Sequence, residues 1–164
     1  MQTRKIFLLI QVAILKFAYA NELAPQEEIT LCNEGEDVYF SCPLDNGKVI
    51  SVCAKNNLNP KQGYVKYKYG AGRDIFVYPK NGIPPNKILK LSDVSEGSIR
   101  GLHLKFENGP YTYVVSSVWP GQLYVLKNKK IVFDKQCQAS KYKSFSNKIF
   151  DGVNQAPPSE VDVH

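Results

Sequence analysis

Apolar and polar residues alternate along most of the middle of the chain, and this period of two is that of half-buried β-strands. In the predicted strand 64–69, Val65, Tyr67 and Tyr69 share one side, while Tyr64 and two lysines share the other. The stretch 102–107 alternates three apolar with three polar residues in the same way. We expect the apolar sides, Tyr67 and Tyr69 included, to form a core, and the lysines to face solvent.

Turn residues divide this alternating region into hairpins. Asp45-Asn46-Gly47 separates Val38–Leu44 from Lys48–Cys53. Asn-Gly readily accepts the positive φ angles of a tight turn, so Asn46 and Gly47 are predicted as the two central residues. Gly70-Ala71-Gly72 separates 64–69 from 74–78 and predicts a second hairpin.

The remainder predicts a long connection followed by a meander. Pro79, Asn81-Gly82 and Pro84-Pro85 interrupt the strand pattern and open a connection to about Gly101, with a short helical turn near 92–96. Strands follow at 102–106, 111–118, 122–127 and 131–134, and a short helical segment near 140–150. The predicted fold is all-β, a small disulfide-bonded antiparallel sandwich or partly closed barrel of about eight strands.

The first 20 residues have the pattern of a secretory signal peptide. Arg4 and Lys5 precede an apolar run from Ile6 to Phe17, and Ala18-Tyr19-Ala20 is a small-x-small cleavage motif. The apolar run is shorter than the roughly 20 residues of a membrane-spanning helix. We therefore predict cleavage after Ala20, a mature chain from Asn21, no membrane span, and a periplasmic or secreted location.

Four cysteines, Cys32, Cys42, Cys53 and Cys137, predict two disulfides in an oxidising compartment. Four cysteines allow three pairings. One interpretation pairs Cys42 with Cys53 across the first hairpin and Cys32 with Cys137. Another pairs Cys32 with Cys42 and Cys53 with Cys137, and the sequence does not choose. No Cys-x-x-Cys or paired histidine pattern indicates a metal site.

Charge is segregated along the chain. Residues 21–37 contain six acids and no base, and residues 151–164 contain three acids and no base. Residues 38–150 hold 18 Lys and Arg against 6 Asp and Glu, a net of +12. We interpret these as an acidic N-terminal segment, a basic β domain and a disordered acidic tail. The lysines either keep the strand faces soluble or attract an anionic partner.

The run FSCPLDNGKVISVC, followed by GYVKYKYG and IFVYP, covers residues 40–79. It resembles a pattern in small, mostly uncharacterised secreted proteins of Gram-negative bacteria. The resemblance implies a periplasmic setting, and it carries no activity, cofactor or catalytic residue to this chain.

The sequence predicts no catalytic residue and no cofactor. His103 lies mid-strand without a Gly-x-Ser-x-Gly elbow, so a solvent-facing strand histidine is the preferred interpretation. Asp93 and Glu96 lie in a predicted loop beside Gly97, where turn and cap roles are common. Gly70-Ala71-Gly72 alone predicts a turn and not a phosphate loop.

The remaining hypothesis is binding, in two versions. The first is an inhibitor or immunity-type protein for a secreted toxin or wall-degrading enzyme, with contact loops at 56–62, 70–73 and 80–86. The alternative is a module for an anionic glycan or lipid head group in the cell envelope. Export excludes intracellular nucleic acid as a partner. The candidate binding residues are Lys66, Lys68, Arg73, Lys105 and Trp119, the last either a stacking residue or packed in its turn.

Overall fold

The computed structural model describes residues 28–162, and the predicted signal peptide lies outside them. The strands within this range are β1 (Asp37–Pro43), β2 (Val49–Lys55), β3 (Tyr64–Ala71), β4 (Asp74–Tyr78), β5 (Lys90–Asp93), β6 (Leu102–Asn108), β7 (Tyr111–Ser116), β8 (Gln122–Lys127) and β9 (Lys130–Gln136). A 3₁₀ turn at Pro85–Lys87 lies between β4 and β5. One short helix, α1 (Lys148–Gly152), and a 3₁₀ turn at Glu160–Asp162 follow β9. Among the residues described, no helix is both long and apolar enough to cross a membrane.

The strands form two antiparallel sheets. One has the order β1-β2-β3-β4 and the other β5-β6-β7-β8-β9, so within each sheet every strand pairs with its neighbours in sequence. Short turns permit this because consecutive antiparallel strands need no long crossover. The predicted all-β antiparallel sandwich is confirmed, and the sheets do not close into a barrel.

Aromatic side chains from both sheets pack against one another between the sheets. Tyr67 of β3 is 1% exposed, and its ring centroid lies 5.1 Å from that of Phe106 on β6 and 5.9 Å from that of Tyr113 on β7. Tyr69, also on β3, contacts Phe133 of β9 with 5.9 Å between centroids. The prediction that Tyr67 belongs to the core is confirmed, and Tyr69 is half-buried and packs against that core.

The first hairpin has the predicted strands but a different turn. The Gly47 N–H donates to the Leu44 carbonyl, and the Leu44 N–H donates to the Lys48 carbonyl, so the loop has three residues. Gly47 has φ of +77°, whereas Asn46 has no positive φ. The prediction of Asn46 and Gly47 as a two-residue turn is wrong, because a three-residue loop needs the left-handed conformation only at its last position.

The second hairpin turns later than predicted. Gly70 and Ala71 continue β3, and Ala71 pairs with Asp74, which leaves Gly72 and Arg73 as the turn. Gly70 lies close to the backbone of the paired strand, since a Cβ at this position would lie 2.0 Å from the Asp74 carbonyl oxygen. This close backbone approach requires glycine within the strand.

Two segments differ from the predicted elements. Residues 90–93, assigned to the long connection and partly to a helical turn, form strand β5. Residues 153–156 lie along the outer edge of β5, where the Leu91 N–H donates to the Asn154 carbonyl and the Ala156 N–H donates to the Leu91 carbonyl. The prediction of a disordered tail is therefore wrong for residues 152–162, because this segment satisfies the backbone groups of an edge strand.

Both disulfide pairings considered from the sequence are wrong. Cys32 is bonded to Cys53 with a Cα–Cα distance of 5.4 Å, and Cys42 is bonded to Cys137 with a Cα–Cα distance of 5.0 Å. Cys42 and Cys53 cannot bridge their hairpin because the register pairs Cys42 with Ile50 and Cys53 with Val38. The number of disulfides is as predicted, and their presence is compatible with an oxidising compartment.

Candidate functional site

The five predicted binding residues do not form one surface. Lys66 and Lys68 belong to β3 and line a groove beside β4, whereas Lys105 lies on β6 in the other sheet. Arg73 occupies the β3–β4 turn and Trp119 the β7–β8 connection. Burial decides whether the charge of each lysine can face a partner.

Lys68 is a structural cation and not an exposed one. Lys68 is 5% exposed, and its Nζ donates to Glu36 Oε2 at 2.8 Å and to the Leu31 carbonyl at 3.1 Å. Burial favours a raised pKa for Glu36, but hydrogen bonds from Lys68, the Asn33 N–H and Tyr64 outweigh it and hold the pKa below its ordinary value. The prediction that Lys68 faces solvent is wrong because the N-terminal segment covers this face of β3.

Lys105 and His103 on β6 are likewise covered by a terminal segment of the chain. The C-terminal segment places Asp162 over them, so its carboxylate contacts both Lys105 Nζ and, at 2.8 Å, His103 Nδ1. His103 is 1% exposed and Lys105 is 8% exposed, so both predictions of a solvent-facing side chain are wrong. Burial alone raises the pKa of Asp162, but hydrogen bonds from Lys105, the Ser159 N–H and His103 keep it below its ordinary value.

A histidine beside a carboxylate is also the composition of a catalytic pair, so its access matters. The Asp162 side chain is only 2% exposed. Tyr124 closes the site from β8, two strands away in the same sheet, with its hydroxyl donating to the Val161 carbonyl at 2.7 Å. A substrate therefore has no path to His103 while the C-terminal segment is in place, and we assign the pair to holding that segment.

Charge segregation along the chain is an intramolecular feature. Among residues 28–162, each of the five lysine–carboxylate salt bridges joins an acid of a predicted acidic end to a lysine of the predicted basic body. The acids are Glu28, Glu36, Asp37, Glu160 and Asp162. The acidic ends therefore lie on the basic sheets and offset part of their charge.

Lys66 and Arg73 remain accessible. Lys66 is half-buried and its Nζ donates to the Lys80 carbonyl at 3.2 Å, while Arg73 is exposed at its turn. Of the three predicted contact loops, 56–62 and 80–86 meet each other, since the Asn86 N–H donates to the Pro60 carbonyl. The loop 70–73 lies at the opposite end of β3. These residues stay candidates, and Lys66 lines the groove beside β4 together with Lys80 of the 80–86 loop.

Trp119 is the predicted binding residue with a large apolar side chain, and this side chain is exposed. It is 73% exposed, so the interpretation that it is packed within its turn is wrong. Placing a tryptophan in water has a cost, since burying such a side chain stabilises a protein by a few kcal/mol. Exposed apolar groups of this size are typical of interaction surfaces when they are held rigidly and have apolar neighbours.

The loop that carries Trp119 is rigidly held at both ends. The Gly121 N–H donates to the Val118 carbonyl at 2.7 Å, which closes a turn with Trp119 and Pro120 at its centre. Tyr142 donates its hydroxyl to the Ser117 carbonyl at 2.9 Å. The backbone at Gly121 has φ of +85°, and a Cβ there would lie 2.5 Å from the Tyr142 ring. Glycine is therefore required for this loop to pack closely against Tyr142.

The β5–β6 loop lies directly beside the Trp119 loop. A Cβ on Gly101 would lie 2.5 Å from Val118 Cγ2, so the two loops are in contact. The Leu102 N–H donates to Ser117 Oγ at 2.9 Å, which ties the loops together. This second loop exposes Ile99, which is 57% accessible, and Arg100.

A hollow of about 280 Å³ adjoins both loops and α1. Its lining includes Arg100, Ser117 and Phe150, and Phe150 is 41% exposed. We use the name Trp119 surface for Trp119, Ile99, Arg100, Phe150 and this hollow. Asp93 also lines the hollow, and it accepts hydrogen bonds from the Ser95 hydroxyl and N–H, which together with the nearby Arg100 charge lower its pKa.

The chemistry of the Trp119 surface is that of contact. The two contacting loops expose Trp119 and Ile99. The hollow beside them is lined by Phe150 and by polar groups: three serine hydroxyls, the Asn147 carboxamide, the Arg100 guanidinium and the Asp93 carboxylate. Tryptophan and arginine are the residues most enriched where binding energy concentrates in protein interfaces. The surface can therefore supply apolar anchors and one directional cation.

Sequence reasoning found Trp119 but missed its partners. Ile99 follows Gly97-Ser98 in a predicted loop, and an isolated apolar residue in a polar loop was the available signal. Phe150 directly follows the buried Ile149, so two consecutive apolar residues in a helix of five could not both face the core. The contact between the two loops depends on the pairing of β6 with β5 and β7, which no local pattern encodes.

No protein-family model matches this chain, and neither curated proteins nor solved structures gave a match.

Proposed function

We propose that this chain is an exported, non-enzymatic binding protein of the inhibitor or immunity type, and that it contacts a secreted protein partner through the Trp119 surface. The single observation that carries the proposal is a sole tryptophan, 73% exposed, on a hydrogen-bonded loop that contacts a second loop with an exposed isoleucine, Ile99. A rigid loop loses little conformational entropy on binding, and this favours tight association.

The charge of the surface indicates the kind of partner. Arg100 is exposed at the hollow, and the basic body around it retains more cations than the acidic ends neutralise. A secreted toxin or wall-degrading enzyme with an apolar pocket and an acidic rim is complementary to such a surface. Trp119 then enters the pocket, and Arg100 pairs with a carboxylate at its rim.

The test uses the mature protein, immobilised in three forms: unchanged, with Trp119→Ala, and with Ile131→Ala. Ile131 is the matched control because it is an exposed apolar residue outside the candidate contact loops, 44% exposed, and it pairs with Leu126 at the end of β8 away from the Trp119 loop. Envelope and culture-medium extracts of the producing cells are passed over each form. We expect one stoichiometric protein on the unchanged and Ile131→Ala forms, bound roughly 30-fold more weakly by Trp119→Ala, as for an interface hot spot of about 2 kcal/mol.

Tryptophan fluorescence gives a second readout. Because Trp119 is the sole tryptophan, its emission reports directly on this loop in any tryptophan-free partner fragment. We expect a shift to shorter wavelength on binding, and a decrease in the partner's enzymatic or toxic activity. Equal retention of the partner by Trp119→Ala and the unchanged protein would show that the contact lies elsewhere.

A further inference from the structure

A second cavity lies between the two sheets, away from the Trp119 surface. Its volume is about 240 Å³, and its lining is confined to aromatic and aliphatic residues: Tyr67, Tyr69, Phe76, Tyr111, Tyr113, Leu123, Val125, Val132 and Phe133. We call it the aromatic cleft. A cavity of about 150 Å³ already holds benzene, so this one has room for one or two rings.

The cleft opens between two edge strands. Phe76 comes from β4, which is the last strand of its sheet, and Val132 and Phe133 come from β9, the last strand of the other. Phe76 is 37% exposed and Val132 is 55% exposed, so the entrance is accessible from solvent. An apolar cavity with its mouth at a sheet edge can admit a ligand without separating any strand pair.

A β-bulge shapes this entrance. Val125 pairs with Phe133 and Leu126 pairs with Ile131, which leaves Val132 as an extra residue. In a regular strand consecutive side chains face opposite sides, but here both Val132 and Phe133 line the cleft. Bulges bend a strand and redirect side chains, and they are frequent next to binding sites.

The walls are arranged for a flat ring. Tyr113 stacks on Phe106 with an interplanar angle of 6°, and Phe76 lies parallel to Tyr113 at 11° with 6.2 Å between centroids. Tyr69 meets Phe133 edge to face at 76°. Ring walls in both orientations give an aromatic guest stacking and edge contacts together, whereas a sugar would leave its hydroxyls without partners.

Cations stand over two of the lining rings. Lys48 Nζ lies 5.1 Å from the centroid of Tyr69, and Lys127 Nζ lies 5.3 Å from the centroid of Tyr111. Lys48 precedes β2 in one sheet and Lys127 ends β8 in the other, so each sheet contributes one cation. Each lysine therefore places a positive charge beside a ring that lines the cleft, which favours a ligand whose polar end is negative.

We propose that the aromatic cleft binds a small aromatic anion of one or two rings, with the rings between the sheets and the anionic group held by Lys48 and Lys127. This site is independent of the proposed protein partner. It uses none of the residues of the Trp119 surface and none of the lysines that are engaged by the acidic ends.

Calorimetric titration of the mature protein tests the proposal, with 2-naphthoate as the probe and methyl 2-naphthoate as its neutral counterpart. We expect 2-naphthoate to bind one site per chain, at least fivefold more tightly than the ester. Absence of saturable 2-naphthoate binding would overturn the proposal. Equal affinity for both compounds would overturn the role of the lysines.

Matched variants locate the binding. Val132→Phe fills the entrance, and we expect at least a tenfold loss of affinity, whereas Ile131→Phe on the same strand leaves it unchanged. The pair Lys48→Gln and Lys127→Gln should reduce naphthoate binding to the level of the ester, while Lys55→Gln with Lys61→Gln should not. Thermal melts verify that each variant is folded.

Trp119→Ala separates this proposal from the proposed function. The aromatic cleft predicts unchanged naphthoate affinity in that variant. If Trp119→Ala loses the protein partner but still binds naphthoate, the cleft proposal is supported. If Val132→Phe loses naphthoate but still binds the partner, the partner site does not depend on the cleft. Full naphthoate affinity in Val132→Phe would place the ligand outside the cleft and overturn the proposal.

Discussion

Asp162 is a buried carboxylate whose neighbours determine when it is charged. Lys105, His103 and the Ser159 N–H all contact its oxygens, and its side chain is 2% exposed. Its pKa is therefore held below the ordinary value of about 3.9. A group with a lowered folded-state pKa stabilises the fold above its unfolded pKa and loses that contribution as pH falls through the folded value.

We therefore predict that Asp162→Asn destabilises the protein at neutral pH by on the order of 3 kcal/mol, because it leaves Lys105 without its buried partner. As the pH falls from 5 to 2, the free energy of unfolding should decrease less for this variant than for the unchanged protein. Urea unfolding across this pH range measures both effects. Glu160→Gln is the control, since the Lys129–Glu160 pair is fully exposed and should contribute nothing measurable. Identical urea midpoints for Asp162→Asn and the unchanged protein would contradict the prediction.

Individual side chains show where sequence reasoning reached its limit. Alternation correctly placed Val65 and Tyr67 in the core, and it correctly put Lys68 on the opposite face of β3. That face was expected to meet water because a two-layer sandwich exposes both outer faces. The N-terminal segment covers it instead, with Glu36 as the counter-ion. Strand periodicity predicts sides of a sheet, but it contains no information about which terminal segment covers a side.

At the scale of the element, the β1–β2 hairpin depends on one conformation. Gly47 has φ of +77°, and nothing lies within 4 Å of the position that a Cβ would take. Any cost of substitution is therefore conformational and not steric crowding. A β-branched residue at positive φ is strongly disfavoured, whereas asparagine tolerates it.

We predict that Gly47→Val destabilises the domain by on the order of 1 kcal/mol or more, and that Gly47→Asn costs clearly less. Chemical unfolding of the two variants beside the unchanged protein measures the difference. The Val and Asn variants differ in branching at Cβ, so the comparison isolates the φ requirement. Equal stability of Gly47→Val and the unchanged protein would show that the turn readily adopts another conformation.

Most elements were predictable because they are local. Both hairpins and the meander from β6 to β9 follow from alternation and turn residues. Strand β5 was missed because Lys90–Asp93 is short and follows a proline-rich connection, and its pairing with β6 is not a local property. The C-terminal segment was missed because its composition is polar and proline-containing, although its backbone pairs with Leu91. The disulfide pairing likewise depends on how the sheets face each other.

The whole molecule explains the separation of charge that the sequence shows. Acids at both ends pair with cations of the sheets, and two of these contacts, Glu36–Lys68 and Asp162–Lys105, are buried. The terminal segments are thereby directed to the outer faces of opposite sheets. A basic middle with acidic ends can accordingly serve the fold itself. An anionic partner is not required to account for it.

The disulfides act at the same scale, because they join distant parts of the chain. Cys42–Cys137 spans 95 residues and ties β1 to the end of β9, whereas Cys32–Cys53 spans 21 residues. Cross-links restrict the unfolded chain more when they close longer loops. In that model the long loop is worth roughly 5 kcal/mol and the short loop roughly 3 kcal/mol.

We therefore predict that the paired variant Cys42→Ala with Cys137→Ala loses about 1 kcal/mol more stability than Cys32→Ala with Cys53→Ala. Each variant removes two sulfur atoms, so the comparison isolates the length of the loop. Urea unfolding of both variants measures the difference, and peptide mapping of the unchanged mature protein verifies the two pairings and the absence of free thiols. A larger loss from the Cys32–Cys53 variant would mean that this bond acts mainly in the folded state, by holding the N-terminal segment and Glu36 over β3.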